Sequence, residues 1–403
     1  MYFKTGSRRA ILAGAICALS ALPAVAAPCG GSFNSFIAAM SKEAAAQGLP
    51  QQAISAFFAG AKQDPRVLKA DRAQGVFQKP FSDFSKSVIS KNRLQNGAAK
   101  LKAYRSTFDQ VERNYGIPRG ILAAFWGLET DFGAVQGDFN TRNALVTLAH
   151  DCRRPELFQP QVLAGIALTA RGDFDPARTT GAWAGEIGQV QMLPADLLRN
   201  GVDGDGDGHV NLKGSSPDAL MSGGKMLSEL GWRRGEPWMQ EVTVPANLDW
   251  SKTGIDTTLS GADWAKRGVQ ARGGQIYNLP SSILLPMGRN GPAFIVYPNF
   301  HVLFEWNKSF VYVTTAAYFA TRLTGADPYA AGNPDPALSV EQMTALQQKL
   351  AARGHDVGKI DGILGASTRV AVQKEQERLG LPADAWPTTI ESVVEMVARQ
   401  LPG

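Results

Sequence analysis

Residues 117–133 read Ile-Pro-Arg-Gly-Ile-Leu-Ala-Ala-Phe-Trp-Gly-Leu-Glu-Thr-Asp-Phe-Gly. Pro118 suits the first turn of a helix, where its missing N–H costs nothing. The apolar residues that follow recur at helical spacing. Glu129 comes four residues after Phe125 and three after Trp126, with Leu122 and Ile121 a turn further back. That spacing puts its carboxyl on the same face as two large aromatics. A carboxyl held against apolar surface resists ionisation, so its pKa should climb toward the range in which it can donate a proton at neutral pH. The same spacing also suits an acidic residue at the water-facing edge of a core helix. Asp131, two residues further on, should point elsewhere, because residues two apart on a helix do not face each other.

Outward from this helix, the apolar residues from Phe33 to Ala170 recur mostly at helical spacing, with stops at Gly48, Gly116 and Gly172. Between Met239 and Val302 the pattern changes to short β-branched and aromatic runs such as 241–244 and 294–297, which predicts a small strand element. A helix is expected from Ser309 to Leu323. Residues 325–336 are rich in Pro, Gly and Asp and read as a linker. The tail from Ala337 then reads as a separate three-helix module, with helical patterns at 340–353, 366–379 and 388–400.

The 403 residues, 44% of them apolar, can bury a large core and should form more than one domain. The first 26 residues carry Lys4, Arg8 and Arg9, an apolar run and the small residues Ala24-Val25-Ala26, the three parts of a secretory leader. Pro28 argues against lipid attachment at Cys29, so a soluble periplasmic chain is expected. Without the leader the formal charge falls from +5 to +2, which gives little support to nucleic-acid binding. No second apolar stretch reaches the roughly 18 to 20 residues that span a bilayer. Cys29 and Cys152 remain as an even pair in an oxidising compartment and are expected to form a disulfide, with two separate buried thiols as the alternative.

Two further segments carry chemistry. Trp183-Ala-Gly-Glu-Ile-Gly-Gln-Val-Gln-Met-Leu-Pro194 places Gly185 and Gly188 ahead of an expected helical run that contains Gln191. Glycines there allow close backbone approach to a ligand, and an aromatic and an amide are groups that stack on and hydrogen-bond to a sugar. Tight helix packing explains the glycines equally well. Asp203-Gly-Asp-Gly-Asp-Gly-His209 reproduces the first half of a calcium loop, with Gly208 in sixth place. Its twelfth position is Gly214, so Asp218 is the candidate that closes the site, with His209 offering its backbone carbonyl. A solvated acidic turn is the plain alternative.

Taken in order, these segments resemble the lytic murein transglycosylases of the membrane-bound transglycosylase B type, over most of residues 31–324. The Gly127–Gly133 run matches that family's catalytic motif, which implies Glu129 as its catalytic glutamate. Ala184 to Gln191 matches an Ala-Gly-x-x-Gly-x-x-Gln motif, and the later segments fall on Asn299-Phe300 and on Trp306 to Tyr312. The resemblance thus implies substrate-binding roles for Gln191, Asn299, Trp306, Asn307 and Tyr312, beside Trp183 read from its chemistry, and a cation at Asp203, Asp205, Asp207 and His209, which Asp218 would close. Trp306 stands where Tyr is usual, Ala182 where Ser is found and Ala195 where Ser commonly follows the proline. The tail, with Leu346-Gln347, Gly354-His355 and the 359–368 run, resembles the common peptidoglycan-binding domain, except that Glu375-Gln376 replaces its usual Phe-Gln pair.

The implied fold is mainly α: a lysozyme-like α+β catalytic domain over residues 27–324 with a small β element, then the helical module at 337–403. The implied reaction breaks the bond between N-acetylmuramic acid and N-acetylglucosamine in peptidoglycan strands. Glu129 would act as acid and then as base, and a 1,6-anhydro ring would close with help from the muramyl acetamido group. Two-carboxylate hydrolysis of the same bond is the near rival. A non-catalytic wall-binding scaffold is the distant one. No cofactor is needed for the chemistry, and Ca²⁺ would be structural.

Overall fold

A computed structural model describes residues 27–73 and 79–387. The expected leader at 1–26 and the third helical pattern expected in the tail, at 388–400, lie outside the described residues. The expected helical part is present. Gly116 and Gly172 end their helices in the left-handed conformation, with φ of 72° and 82°. Two hydrophobic cores organise the molecule. One gathers Phe57, Val146, Phe158 and Ile166 from the N-terminal helices. The other gathers Leu122, Phe125, Trp126, Phe300 and Phe319. Trp306 packs against both, so it marks the seam between them.

The second core is built on helix Arg119–Thr130 lying along helix Phe310–Leu323. Their approach depends on Gly120, where an added Cβ would meet the Ala320 carbonyl oxygen at 2.8 Å and Thr324 Cγ2 at 2.7 Å. The expected strand element is a five-stranded antiparallel sheet in the order 259–260, 280–284, 293–296, 239–243, 270–271. Phe294 and Val296 face the helical core, while Ile295 and Ala293 face a small cluster around Trp264. With both faces covered, the strand reads as a continuous apolar run.

Cys29 and Cys152 are bonded, closing a loop with a sequence separation of 123. This ties the start of the described chain to the turn before helix Pro155–Arg171. Among the described residues no helix is long and apolar enough to cross a membrane.

The tail differs from expectation. Its helices Val340–Ala352 and Ala366–Arg378 enclose a small core of Met343, Leu346, Leu350 and Val372. Yet the module is not separate. Arg369 is buried and donates to the Leu285 and Pro286 carbonyls at 3.3 and 2.6 Å, with its guanidinium 4.4 Å above the Phe310 ring. Gln373 donates to the Trp250 and Thr253 carbonyls, and buried Asp384 pairs with Arg289 at 3.0 Å. The 325–336 segment is a packed strap. Tyr329 sits among Phe81, Phe294 and Tyr318, Ala330 N–H donates to Glu241, and Asn333 N–H donates to the Asn290 carbonyl. Glu375 and Gln376 also have structural work. Glu375 gathers Arg353, His355 and Arg378, and Gln376 bonds the backbone of Ala385 and Trp386.

Cutting the chain after residue 336 would therefore strip cover from Phe310 and leave the Leu285 and Pro286 carbonyls without their donor. The truncated protein should melt lower by about 5 °C or more, since each kcal/mol lost shifts a domain of this size by about 2 to 4 °C. Calorimetry of both forms checks this. An unchanged melting temperature would mean that the contact carries no stability.

Candidate active site

Glu129 occupies the last turn of helix Arg119–Thr130, which starts after Pro118. The helix is stopped abruptly. Asp131, Phe132 and Gly133 all have positive φ, at 50°, 59° and 88°. Asp131 N–H returns to the Gly127 carbonyl and Phe132 N–H to the Trp126 carbonyl. Phe132 folds back edge-on to Trp126, and Thr130 donates to the Gln189 carbonyl at 2.6 Å. Asp131 lies beyond the helix in the left-handed conformation, so the turn and not helical spacing directs its side chain, which pairs with Arg93 Nε at 3.0 Å.

The Glu129 carboxyl lies at the seam of the two cores. Trp306 Nε1 donates to its Oε1 at 3.0 Å and the Tyr312 hydroxyl donates to the same oxygen at 2.5 Å. Phe125, one turn earlier, stacks on Trp306 with ring centroids 4.4 Å apart. Burial pushes the Glu129 pKa up to about 7, against the pull of the Tyr312 and Trp306 hydrogen bonds, and the Glu186 carboxyl adds to the rise. Both bonds stabilise the ionised form, so desolvation outweighs them. Both donors address Oε1.

Several expected roles need revision. Trp306 and Tyr312 hold the carboxyl itself with their polar tips, where sugar contacts were expected. Asn299 is wholly buried. Its Oδ1 accepts from Arg233 N–H and its Nδ2 donates to the Arg233 and Glu236 carbonyls, so its amide is consumed inside the protein and has nothing left for a sugar. Asn307 uses Oδ1 to accept from Ser309 N–H, and its Nδ2 has no partner among the described residues. Gln191 is not on a helix. It sits at φ 51° in a tight turn closed by paired hydrogen bonds between Ile187 and Met192, and its Nε2 donates to the Gly188 carbonyl at 2.7 Å. The next helix starts at Pro194. Trp183 is half-buried at the edge of the N-terminal core.

Two residues escaped sequence reasoning. Gln189 is buried and locks the turn to the Glu129 helix. Its Oε1 accepts from Trp126 Nε1 and from the Ser216 hydroxyl, both at 3.0 Å. A buried indole N–H demands an acceptor, but a separation of 63 residues left no local signal that pointed to Gln189. Glu186 is a carboxyl whose pKa burial pushes up, with Oε2 buried and unpartnered among the described residues. Its signal was an ionisable side chain between Gly185 and Ile187 in an apolar segment.

In the acidic loop, carboxylate oxygens of Asp203, Asp205 and Asp218 lie within 4.8 Å of one another. Asp218 also accepts from Gly204 and Asn211 N–H, and Asp203 from Gly206 and Gly208 N–H. Asp207 is outside this cluster and accepts from His209 N–H, while the His209 ring turns to Asp173 at 3.4 Å. The three converging carboxylates are hard donors of the kind that suit Ca²⁺.

Comparison with known proteins agrees with this arrangement. Residues 32–321 match the model for the transglycosylase SLT domain, and residues 339–388 match that for a peptidoglycan binding domain. The chain is 27% identical over 275 residues to membrane-bound lytic murein transglycosylase B of Escherichia coli (strain K12), covering 65% of this chain and 75% of that one. Its fold is similar to that of SltB3 from Pseudomonas aeruginosa in complex with NAG-anhNAM-pentapeptide. The TM-score is 0.83 and the identity 35%, over 91% of this chain and 100% of that one. It is also similar to the Escherichia coli lytic transglycosylase Slt35 in complex with calcium, at TM-score 0.61 and 25% identity, over 71% of this chain and 91% of that one.

The raised Glu129 pKa makes a signed prediction about stability. Relative to the usual 4.5, a folded value of about 7 favours the protonated fold, so this contribution is full below pH 4.5 and is lost as pH rises through 7. Glu129→Gln should thus gain stability over the wild type between pH 5 and 8, and match it at pH 4. Trp306→Phe removes one donor to the carboxylate and should enlarge the loss above pH 7. Thermal melts across this range check both, and parallel profiles for wild type and Glu129→Gln would refute the assignment.

Proposed function

The chain belongs to the transglycosylase SLT domain family and is a lytic transglycosylase of peptidoglycan, and we propose that Glu129 is its one acid/base. The observation that carries this is the coexistence at one carboxyl of a pKa near 7 and two donors that favour its ionised form. At neutral pH a large share of the molecules hold Glu129 protonated, ready to give that proton to the oxygen bridging N-acetylmuramic acid to N-acetylglucosamine. As the C1–O4 bond breaks, the glutamate becomes anionic. The Trp306 and Tyr312 bonds strengthen with the developing charge, so they assist the transition state more than the ground state.

The muramyl acetamido oxygen covers C1 as the leaving oxygen departs. Glutamate 129, now a base, takes the proton of the muramyl 6-hydroxyl as that oxygen attacks C1. The 1,6-anhydro ring closes, the proton returns to Glu129 and no water is consumed. Hydrolysis would need a carboxylate base for water. Asp131 is engaged by Arg93, and Glu186 holds its Oε2 buried in the protein, so neither presents a free carboxylate to water.

We infer too that Asp203, Asp205 and Asp218 hold a Ca²⁺-type cation that stabilises without reacting. The helix Ser216–Glu229 that starts beside Asp218 carries Gly223, which lies against Leu122 and near Trp306, so the loop braces one wall of the site. Export of the chain to the periplasm, with residues 1–26 as leader, is supported by the Cys29–Cys152 bond. Residues 27–324 would form the reacting unit and 337–403 the unit that adds contact with the wall.

Glu129→Gln keeps volume and hydrogen bonding but can neither give nor take the proton. Anhydromuramyl release from purified sacculi, followed by mass spectrometry, should fall by about three orders of magnitude or more. Near-normal release by the folded variant would remove Glu129 from the role. A chelator should lower the melting temperature and added Ca²⁺ restore it. Insensitivity to both would remove the cation.

A further inference from the structure

Away from the Glu129 seam, a polar cavity of about 630 Å³ opens beside the two-stranded ribbon 139–140/180–181. Buried Arg142 and Asn143 line it, and exposed Lys62, Arg66 and Asp138 stand around it. Arg142 is unusual in its partners. Its guanidinium donates to the Ala59 and Gly60 carbonyls, at 2.5 and 3.0 Å, and to Asn143 Oδ1 at 3.1 Å. All three acceptors are neutral, and Arg142 makes no ion pair among the described residues. Asp175 acts on it only from a distance, its carboxylate being held by the Ala177 and Arg178 N–H groups. Burial accordingly pulls the Arg142 pKa down.

A buried cation without a counter-ion is costly, and each Nη of Arg142 retains a hydrogen beyond the one its carbonyl takes. Arg66 is already claimed, since Asp64 binds it through both oxygens. Lys62 makes no ion pair among the described residues. The cavity thus offers two cations, one buried and one exposed, without an ion-pair partner among the described residues, in a volume that suits a small ligand.

We propose that this cavity is a subsite for a carboxylate of the peptide stem carried by the glycan, seated between Lys62 and Arg142. The proposal rests on the reading of the chain as a peptidoglycan-cleaving enzyme. Uncharged sugar hydroxyls and acetamides would only add to the neutral acceptors that Arg142 already has, whereas a carboxylate supplies the missing opposite charge through charge-assisted bonds. The cavity is joined to the reacting carboxyl by continuous structure. Thr180 on its wall accepts from Lys213 Nζ, and the Lys213 carbonyl accepts from Gln136 and Gln189. Gln189 in turn holds Trp126, three residues before Glu129. Beyond Gly181 the chain runs straight into the turn that carries Gln191. An extended pentapeptide spans at most about 16 to 18 Å. Asp138 at the rim suits an ammonium group of the same stem.

The test uses the full chain and two substrates: glycan strands bearing their stems, and the same strands stripped of stems by an amidase, with the lactyl carboxylates that this exposes capped as amides. The variant is Lys62→Glu, an exposed position that leaves the buried Arg142 in place. The ratio of kcat/KM on stem-bearing to stripped strands should fall about five- to tenfold in the variant, mostly through KM. The free tripeptide L-Ala-γ-D-Glu-meso-diaminopimelate should bind wild type at low salt and lose that binding in Lys62→Glu. An unchanged ratio, or tripeptide binding that survives the substitution, overturns the subsite. Failure of the underlying reading would look different, because wild type would then release no anhydro product from either substrate.

Discussion

The arrangement depends on keeping one carboxyl largely out of water while giving its ionised form two hydrogen bonds. Raising Glu129 from 4.5 to about 7 corresponds to about 3 kcal/mol of bias toward the neutral form. The surrounding structure has to sustain that bias. Trp306 reaches Glu129 only because its ring is clamped on Phe125 and packed on both cores. Tyr312 reaches it only because helix Phe310–Leu323 lies close along helix Arg119–Thr130, at Gly120. A Cβ at Gly120 would separate the helices and lengthen the Tyr312 bond, with a penalty felt at the carboxyl rather than at the glycine.

A second constraint is the join between the two halves of the site. Gln189 converts the 187–192 turn from a surface loop into a fixed wall by satisfying Trp126 and Ser216 at once. The acidic loop is similarly organised by its own carboxylates, which accept backbone N–H groups. In the proposed role, Glu129 works against a fixed background, in which two donors aimed at one oxygen need no rearrangement as charge develops.

Much of this was legible in the sequence where the signal is local. The i, i+4 relation of Phe125 and Glu129, the glycine stops at 116 and 172 and the alternating Asp and Gly of the 203–208 loop are short-range patterns that tertiary contacts did not override. What failed was non-local. Gln191 was expected on a helix, but its turn is set by the Ile187–Met192 pairing and by Gln189 N–H bonding the Leu212 carbonyl. Asn299 has the chemistry of a sugar ligand, yet its amide is consumed by the Arg233–Glu236 backbone. The docking of the tail was invisible because Arg369 binds carbonyls of Leu285 and Pro286, and any residue could supply a carbonyl.

That docking changes what the C-terminal module is as an evolutionary part. A bead on a flexible string can be traded between proteins intact, because nothing outside the string has to match. Here the matching surface includes Trp250 and Thr253, the 285–289 turn and the strap with Tyr329. A chimera that imports the module alone would bring a guanidinium with no carbonyls waiting for it. The heritable unit is the module together with its landing site, so substitutions on the two sides of this contact should be accepted jointly or not at all.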